Sequence, residues 1–134
     1  MLSALVADTH AVLWYLLDDP RLSLVARSAM ESAAHAGLPV YISAITLVEI
    51  VYLVEKGRFD AELLSRLIEA CEDPGNVLTI APLNLVVTSA LAEIAREQVP
   101  DMPDRIIAAT ALALRLPLVT RDGKIRAAQV ATIW

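Results

Sequence analysis

Short apolar runs alternate with longer helical patterns along the whole chain, and this alternation restricts the fold more than any other feature. Runs such as Leu5-Val6-Ala7 and Leu118-Val119 are too short for helices and read as strands buried on both faces. Strands that alternate with helices build a mainly parallel sheet with helices on its faces. A first strand is expected from Ser3 to Asp8, followed by a helix from Thr9 to Leu17 that Asp18, Asp19 and Pro20 end. Ser23 can cap a second helix stopped by Gly37, and Val40 to Ile42 is a second strand. Ser43 can cap a third helix reaching Lys56, with Gly57 after it, and a fourth helix runs from Asp60 to Glu72. Val77 to Ala81 is a third strand and Asn84 to Glu97 a fifth helix. Two prolines predict a loop over Pro100-Asp101-Met102-Pro103, after which Asp104 caps a sixth helix to Leu116. Pro117 to Thr120 is a fourth strand, a short helix follows Asp122, and Val130 to Trp134 is a last strand. The expected fold is α/β, a three-layer α/β/α sandwich with a mainly parallel central sheet, in one domain over residues 1–134.

At 57% apolar residues the chain is too hydrophobic to stay disordered. Its longest charge-free run, Pro74 to Ala92, is broken by Gly75, Asn76, Pro82 and Asn84, so it does not suit a spanning helix. The apolar start up to Leu17 contains Asp8 and lacks the basic residues of a signal peptide, so a cytoplasmic protein is expected. A single cysteine, Cys71, agrees with a reducing compartment and reads as a packing residue. Sixteen acidic against 11 basic residues give a net charge of −5, which argues against simple electrostatic capture of nucleic acid.

Most carboxylates, among them Glu55, Glu62, Glu69, Glu72, Glu93 and Glu97, fall at polar positions or helix ends and read as solvated faces. Four others resist that reading. Asp8 ends the first strand, at the edge where open parallel sheets bind ligands, although it would also serve as a helix cap. Asp122 repeats this placement after Leu118-Val119-Thr120, with a turn at Asp122-Gly123 as the simpler explanation. Glu49 is the only charged residue between Ala44 and Val54 and projects between Ile45 and Leu53. A carboxylate on an apolar helix face is costly unless paired or metal-bound, and Lys56 or a distant arginine is the alternative partner. Asp104 would open its helix, where capping alone suffices, and Asp101 would lie exposed in the proline loop. Two carboxylates 4 Å apart repel by about 4 kcal/mol at an effective dielectric near 20. Four converging on one rim therefore call for a hard cation such as Mg²⁺ or Mn²⁺.

The residues around these carboxylates resemble a PIN-domain ribonuclease, specifically a VapC-type toxin of toxin–antitoxin pairs. The matching strings are Asp8-Thr9-His10-Ala11-Val12-Leu13-Trp14 and Ser43-Ala44-Ile45-Thr46-Leu47-Val48-Glu49-Ile50, with Glu55-Lys56-Gly57-Arg58 after them. Asp104-Arg105-Ile106-Ile107-Ala108-Ala109-Thr110-Ala111 and Leu118-Val119-Thr120-Arg121-Asp122 follow in the same order as in that family. Each string is weakly specific alone, whereas their order and spacing across the chain are strongly so. The resemblance implies a PIN-like fold and cleavage of RNA with Mg²⁺ or Mn²⁺ held by Asp8, Glu49, Asp104 and Asp122. Thr9 and Thr120 would orient carboxylates or water. It also implies a homodimer and a cognate antitoxin that blocks the site. The loop departs from the common family pattern at Asp101-Met102-Pro103, which leaves Asp101 as a supporting candidate only.

Arg105 and Arg121 adjoin acidic positions and are the candidates for contacts with RNA. His10 and His35 read as helix-end residues, and six aromatic residues mark no stacking platform. The apolar Trp14, Tyr15, Leu16 and Leu17 are further candidates for an association surface. Three other readings fit parts of the pattern: an RNA-maturation nuclease of the same fold, a catalytically silent binding module, and a signalling receiver domain. The receiver lacks an aspartate directly after Val40-Tyr41-Ile42 and a lysine after Thr120. If four of the 16 carboxylates form one metal site, 12 remain against 11 basic residues, so the net charge is concentrated where a cation would sit.

Overall fold

The computed structural model describes residues 2–126 and 128–134. Five parallel strands, β1 (Leu5–Ala7), β2 (Val40–Ser43), β3 (Leu78–Ala81), β4 (Leu118–Val119) and β5 (Thr132–Ile133), form one sheet in the order β3-β2-β1-β4-β5. The helices are α1 (Thr9–Leu16), α2 (Leu24–His35), α3 (Ala44–Glu55), α4 (Ala61–Glu72), α5 (Leu85–Leu91), α6 (Met102–Leu114) and α7 (Gly123–Arg126). The strand alternation explains the three layers. Leu5 and Ala7 of the central strand enter a core with α1, α2 and α4, whereas Val6 enters a second core with α5, α6 and α7.

The caps expected for the second and third helices form, and Asp60 caps the fourth. Ser23, Ser43 and Asp60 accept amide hydrogen bonds at the starts of α2, α3 and α4. Gly37 and Gly57 take φ of +68° and +74° just past the ends of α2 and α3, a conformation that side chains rarely adopt. The six glutamates assigned to solvated faces are all exposed.

Three expectations are corrected. The Pro100–Pro103 segment is not all loop: α6 begins at Met102, with Pro103 in its first turn, where a missing amide proton costs nothing. Asp101, not Asp104, is therefore the capping residue, without a side-chain cap bond, and Asp104 stands within the first turn of the helix with its carboxylate free of that role. The helix also stops short of Leu116, because Arg115 turns left-handed at φ 55°.

The fifth helix ends at Leu91 rather than Glu97. Here the guanidinium of Arg105 donates to the carbonyls of Leu91 (3.2 Å) and Ile94 (2.9 and 3.1 Å), acceptors that a continuing helix would use itself. Arg105→Ala should strand these carbonyls and destabilise the fold by about 1.5–3 kcal/mol in urea unfolding. Arg105→Lys should restore little, since an ammonium cannot reproduce the planar fork.

Trp14 is buried at 3% exposure, so the end of α1 contributes core at that position rather than surface. Leu17 just past α1 is exposed, as are Leu24 and Val25 on α2, Val48 and Tyr52 on α3, and Leu85 and Val86 on α5. No described helix is long and apolar enough to cross a membrane.

Candidate active site

The sheet order places the site. The chain builds outward from β1 to β2 and β3, then returns to the other side of β1 for β4 and β5. The crevice at the carboxyl ends of β1 and β4 is the switch point at which open α/β sheets bind ligands. Asp8 follows β1, and its amide donates to the carbonyl of Val119 at the end of β4 (3.1 Å). Asp122 lies three residues past β4.

Both simple explanations for these aspartates hold alongside that placement. Asp8 accepts the Ala11 amide at 2.8 Å as the cap of α1. Asp122 accepts the amides of Lys124 (2.8 Å) and Ile125 (3.2 Å) at the start of α7. In each case one carboxylate oxygen, Oδ1, carries these bonds and Oδ2 takes none of them.

Asp8, Asp104 and Asp122 line one pocket together with His10, Trp14, Arg121 and Trp134. Glu49 lines the adjoining pocket, which shares His10 and includes Met102 and Pro103. The candidate carboxylates act on each other across this rim. Burial pushes the Asp104 carboxyl up to about 7, and the charges of Asp122, Asp101, Glu49 and Asp8 add to the effect. Burial also raises Asp8, opposed by a hydrogen bond from the Thr120 hydroxyl, by the Ala11 amide and by His10. Glu49 is raised by burial too, against a hydrogen bond from Thr9 and with Asp101 and Asp8 adding repulsion.

Threonines hold these carboxylates. Thr9 donates to Glu49 Oε1 at 2.6 Å. With that proton committed, Thr46 is the donor in its 3.1 Å contact with Thr9, giving a buried Thr46–Thr9–Glu49 chain. The Thr120 hydroxyl accepts the Asp122 amide at 3.0 Å, and its nearness to Asp8 favours the charged form of that carboxyl. The helical pattern of the sequence places Thr46 near the face of Glu49, but without a distant partner in view it does not mark Thr46 as a site residue.

The two arginine candidates separate. Arg105 is spent on the carbonyls of Leu91 and Ile94. Arg121 is exposed, lies 4.7 Å from the centre of the Trp14 ring, and pairs with no carboxylate among the described residues. Asp101 is exposed, yet close enough to raise both Asp104 and Glu49.

This is an oxygen-rich, partly desolvated and mutually repelling set, of the kind that hard divalent cations take. Among the described residues no three His, Cys, Asp or Glu side chains close into a cage around one ion.

Residues 5–131 match the family described as the PIN domain. The chain belongs to the PIN-domain family. It is 28% identical over 141 aligned residues to Ribonuclease VapC22 of Mycobacterium tuberculosis (strain ATCC 25618 / H37Rv), covering 99% of this PIN-domain chain and all of that relative. Among solved structures, VapBC2 from Rickettsia felis, bound to a DNA fragment from its promoter, superposes with a TM-score of 0.70 at 20% identity. That match covers 96% of this chain and 97% of the other and bears on the fold alone. A toxin–antitoxin complex from Klebsiella pneumoniae matches with a TM-score of 0.66 at 25% identity, over 98% and 97% of the two chains. The three-layer architecture around an all-parallel sheet is thus the PIN fold expected from the sequence.

Proposed function

We propose that this PIN-domain chain is the ribonuclease toxin of a VapBC-type toxin–antitoxin pair, hydrolysing RNA phosphodiesters with Mg²⁺ or Mn²⁺ at Asp8, Glu49, Asp104 and Asp122. The observation that carries this reading is the convergence of these carboxylates at the β1/β4 switch point, where burial, and then their charges, raise Asp104 to about 7. The similarity to Ribonuclease VapC22 supports RNA as substrate, and the likeness to the Klebsiella pneumoniae toxin–antitoxin complex supports an antitoxin partner.

In this reading Asp8 and Asp122 bring carboxylates from two strand ends, and Asp104 and Glu49 approach from α6 and α3. Thr120 and the Thr46–Thr9 chain hold Asp8 and Glu49 in place. A divalent cation bound here supplies a water of lowered pKa and neutralises charge on the phosphoryl oxygens. The carboxylates need no histidine base for that chemistry, and Asp101 adds negative charge at the mouth of the site. The protein acts as a single domain over residues 1–134, in the cytoplasm and as a homodimer, with the exposed apolar side chains of α2, α3 and α5 available for the dimer and antitoxin contacts.

The test is cleavage of structured RNA by the purified protein. Cleavage is expected with Mg²⁺ or Mn²⁺ and none in excess EDTA. Undiminished cleavage in EDTA would overturn the metal-dependent reading. A monodisperse monomer at high micromolar concentration would contradict the homodimer.

Thr9→Val should remove the hydrogen bond that restrains Glu49 and lower cleavage about 10–100-fold, the range for groups that orient a metal-binding carboxylate. Because Thr46 would then lose its acceptor, Thr9→Ser should recover most of the activity. Rates of the two variants on one RNA distinguish orientation from packing.

A further inference from the structure

Trp14 is an assembly point beside the carboxylates. His10 leans on it at a ring separation of 5.4 Å, Trp134 at 6.0 Å, and the Arg121 guanidinium lies 4.7 Å from its centre. The indole N–H of Trp14 is buried without a hydrogen-bond partner among the described residues. Its ring is therefore held by its faces and edges, and the neighbours packed on it form a wall. That wall closes the pocket floored by Asp8, Asp104 and Asp122.

The pocket volume is about 200 Å³, below the roughly 300–1,000 Å³ of sites for drug-sized ligands and on the scale of a single ring system. Trp134 is only half-buried and lines this pocket, and Arg121 pairs with no carboxylate among the described residues. An aromatic face and an uncommitted guanidinium beside a cation site suit a nucleobase and its phosphate, since bases stack on aromatic rings and arginine planes.

We propose that Trp134 and Arg121, positioned by Trp14, form a nucleobase subsite in which the base adjoining the scissile phosphate stacks on the Trp134 indole. This rests on the ribonuclease reading above and adds to it a subsite that selects for a base. Stacking is largely tolerant of base identity, so the subsite discriminates a base from none more than one base from another. Trp14 is a positioning residue in this arrangement.

The experiment uses AMP, GMP, CMP and UMP with Mg²⁺, and ribose 5-phosphate as the probe without a base. Binding is read by calorimetry and by quenching of tryptophan fluorescence. The nucleotides are expected to bind at least about tenfold more tightly than ribose 5-phosphate and to quench fluorescence. Trp134→Ala should erase that margin, Trp134→Phe should keep most of it, and ribose 5-phosphate should bind all three proteins alike. Equal binding of nucleotides and ribose 5-phosphate to the wild type, no nucleotide binding, or an intact margin in Trp134→Ala would each overturn the subsite. RNA cleavage measured on the same preparations separates the two claims. Cleavage without a base margin sinks the subsite alone, and a base margin without cleavage sinks the ribonuclease reading.

Discussion

Asp104→Asn is expected to lose RNA cleavage by more than about a hundredfold while its metal-free fold becomes more stable than the wild type at pH 8. The first effect follows from removing a charged oxygen ligand. Loss of an outer-shell partner already costs about 10–100-fold, and a direct ligand costs more. The second effect follows from the environment of Asp104, which burial and four neighbouring carboxylates push up to about 7 from an ordinary value of 3.8. The folded state thus holds the proton more tightly than the unfolded chain. Stability from this group is complete below 3.8 and is lost as pH rises through 7. At pH 8 the fold carries the whole cost of the ionised group, which asparagine removes. Asp104 is partly exposed, so solvent screening reduces the gain to about 1–2 kcal/mol, a few degrees of Tm. A variant that loses activity and stability together would argue that Asp104 is structural.

The same sign governs the wild type as a whole. Asp8, Glu49 and Asp104 are all raised with burial as the largest cause, so without divalent cations the protein should melt at progressively lower temperature as pH rises from 4 to 8. Asp19, held down to about 2 by its hydrogen bonds with Arg21, acts in the opposite direction, but that pair is solvent-exposed and strongly screened. Adding Mg²⁺ should flatten the profile from its alkaline end, because the cation competes with protons for the same oxygens. At a hundredfold excess over its dissociation constant, a ligand adds about 2.7 kcal/mol to the folded state. Differential scanning calorimetry at several pH values, with EDTA or Mg²⁺, gives both curves. A stability that rises toward pH 8 in EDTA would contradict the electrostatic picture of the rim.

The strand–helix alternation was legible because its signals are local. Ser23, Ser43, Gly37 and Gly57 bracket their helices through contacts within a few residues, and Leu5-Val6-Ala7 is apolar on both faces because it is central in the sheet. Asp8 and Asp122 were legible in position but ambiguous in role, since each carries both cap hydrogen bonds and a place at the switch point. What local signals missed depends on distant partners. The fifth helix stops at Leu91 because Arg105, from another helix, takes its carbonyls, and no pattern within residues 84–97 announces that. The start of α6 was misplaced because two prolines were weighed as breakers, although one of them sits where a helix accepts it. The Trp14–Trp134 contact joins residues at opposite ends of the chain through the docking of β5 beside β4, so the aromatic wall was invisible in the sequence.

The central claim is that Asp8, Glu49, Asp104 and Asp122 hold a divalent cation, and calorimetric titration of Mn²⁺ into the wild type, Asp8→Asn and Asp104→Asn proteins near pH 7 tests it most directly. Run in two buffers of different ionisation enthalpy, the titration reports protons released as well as metal bound. The account predicts saturable binding to the wild type with net proton release, because Asp104 titrates near that pH, and sharply weakened binding to both variants. Absence of saturable binding in the wild type, or equal affinity in all three proteins, would contradict it.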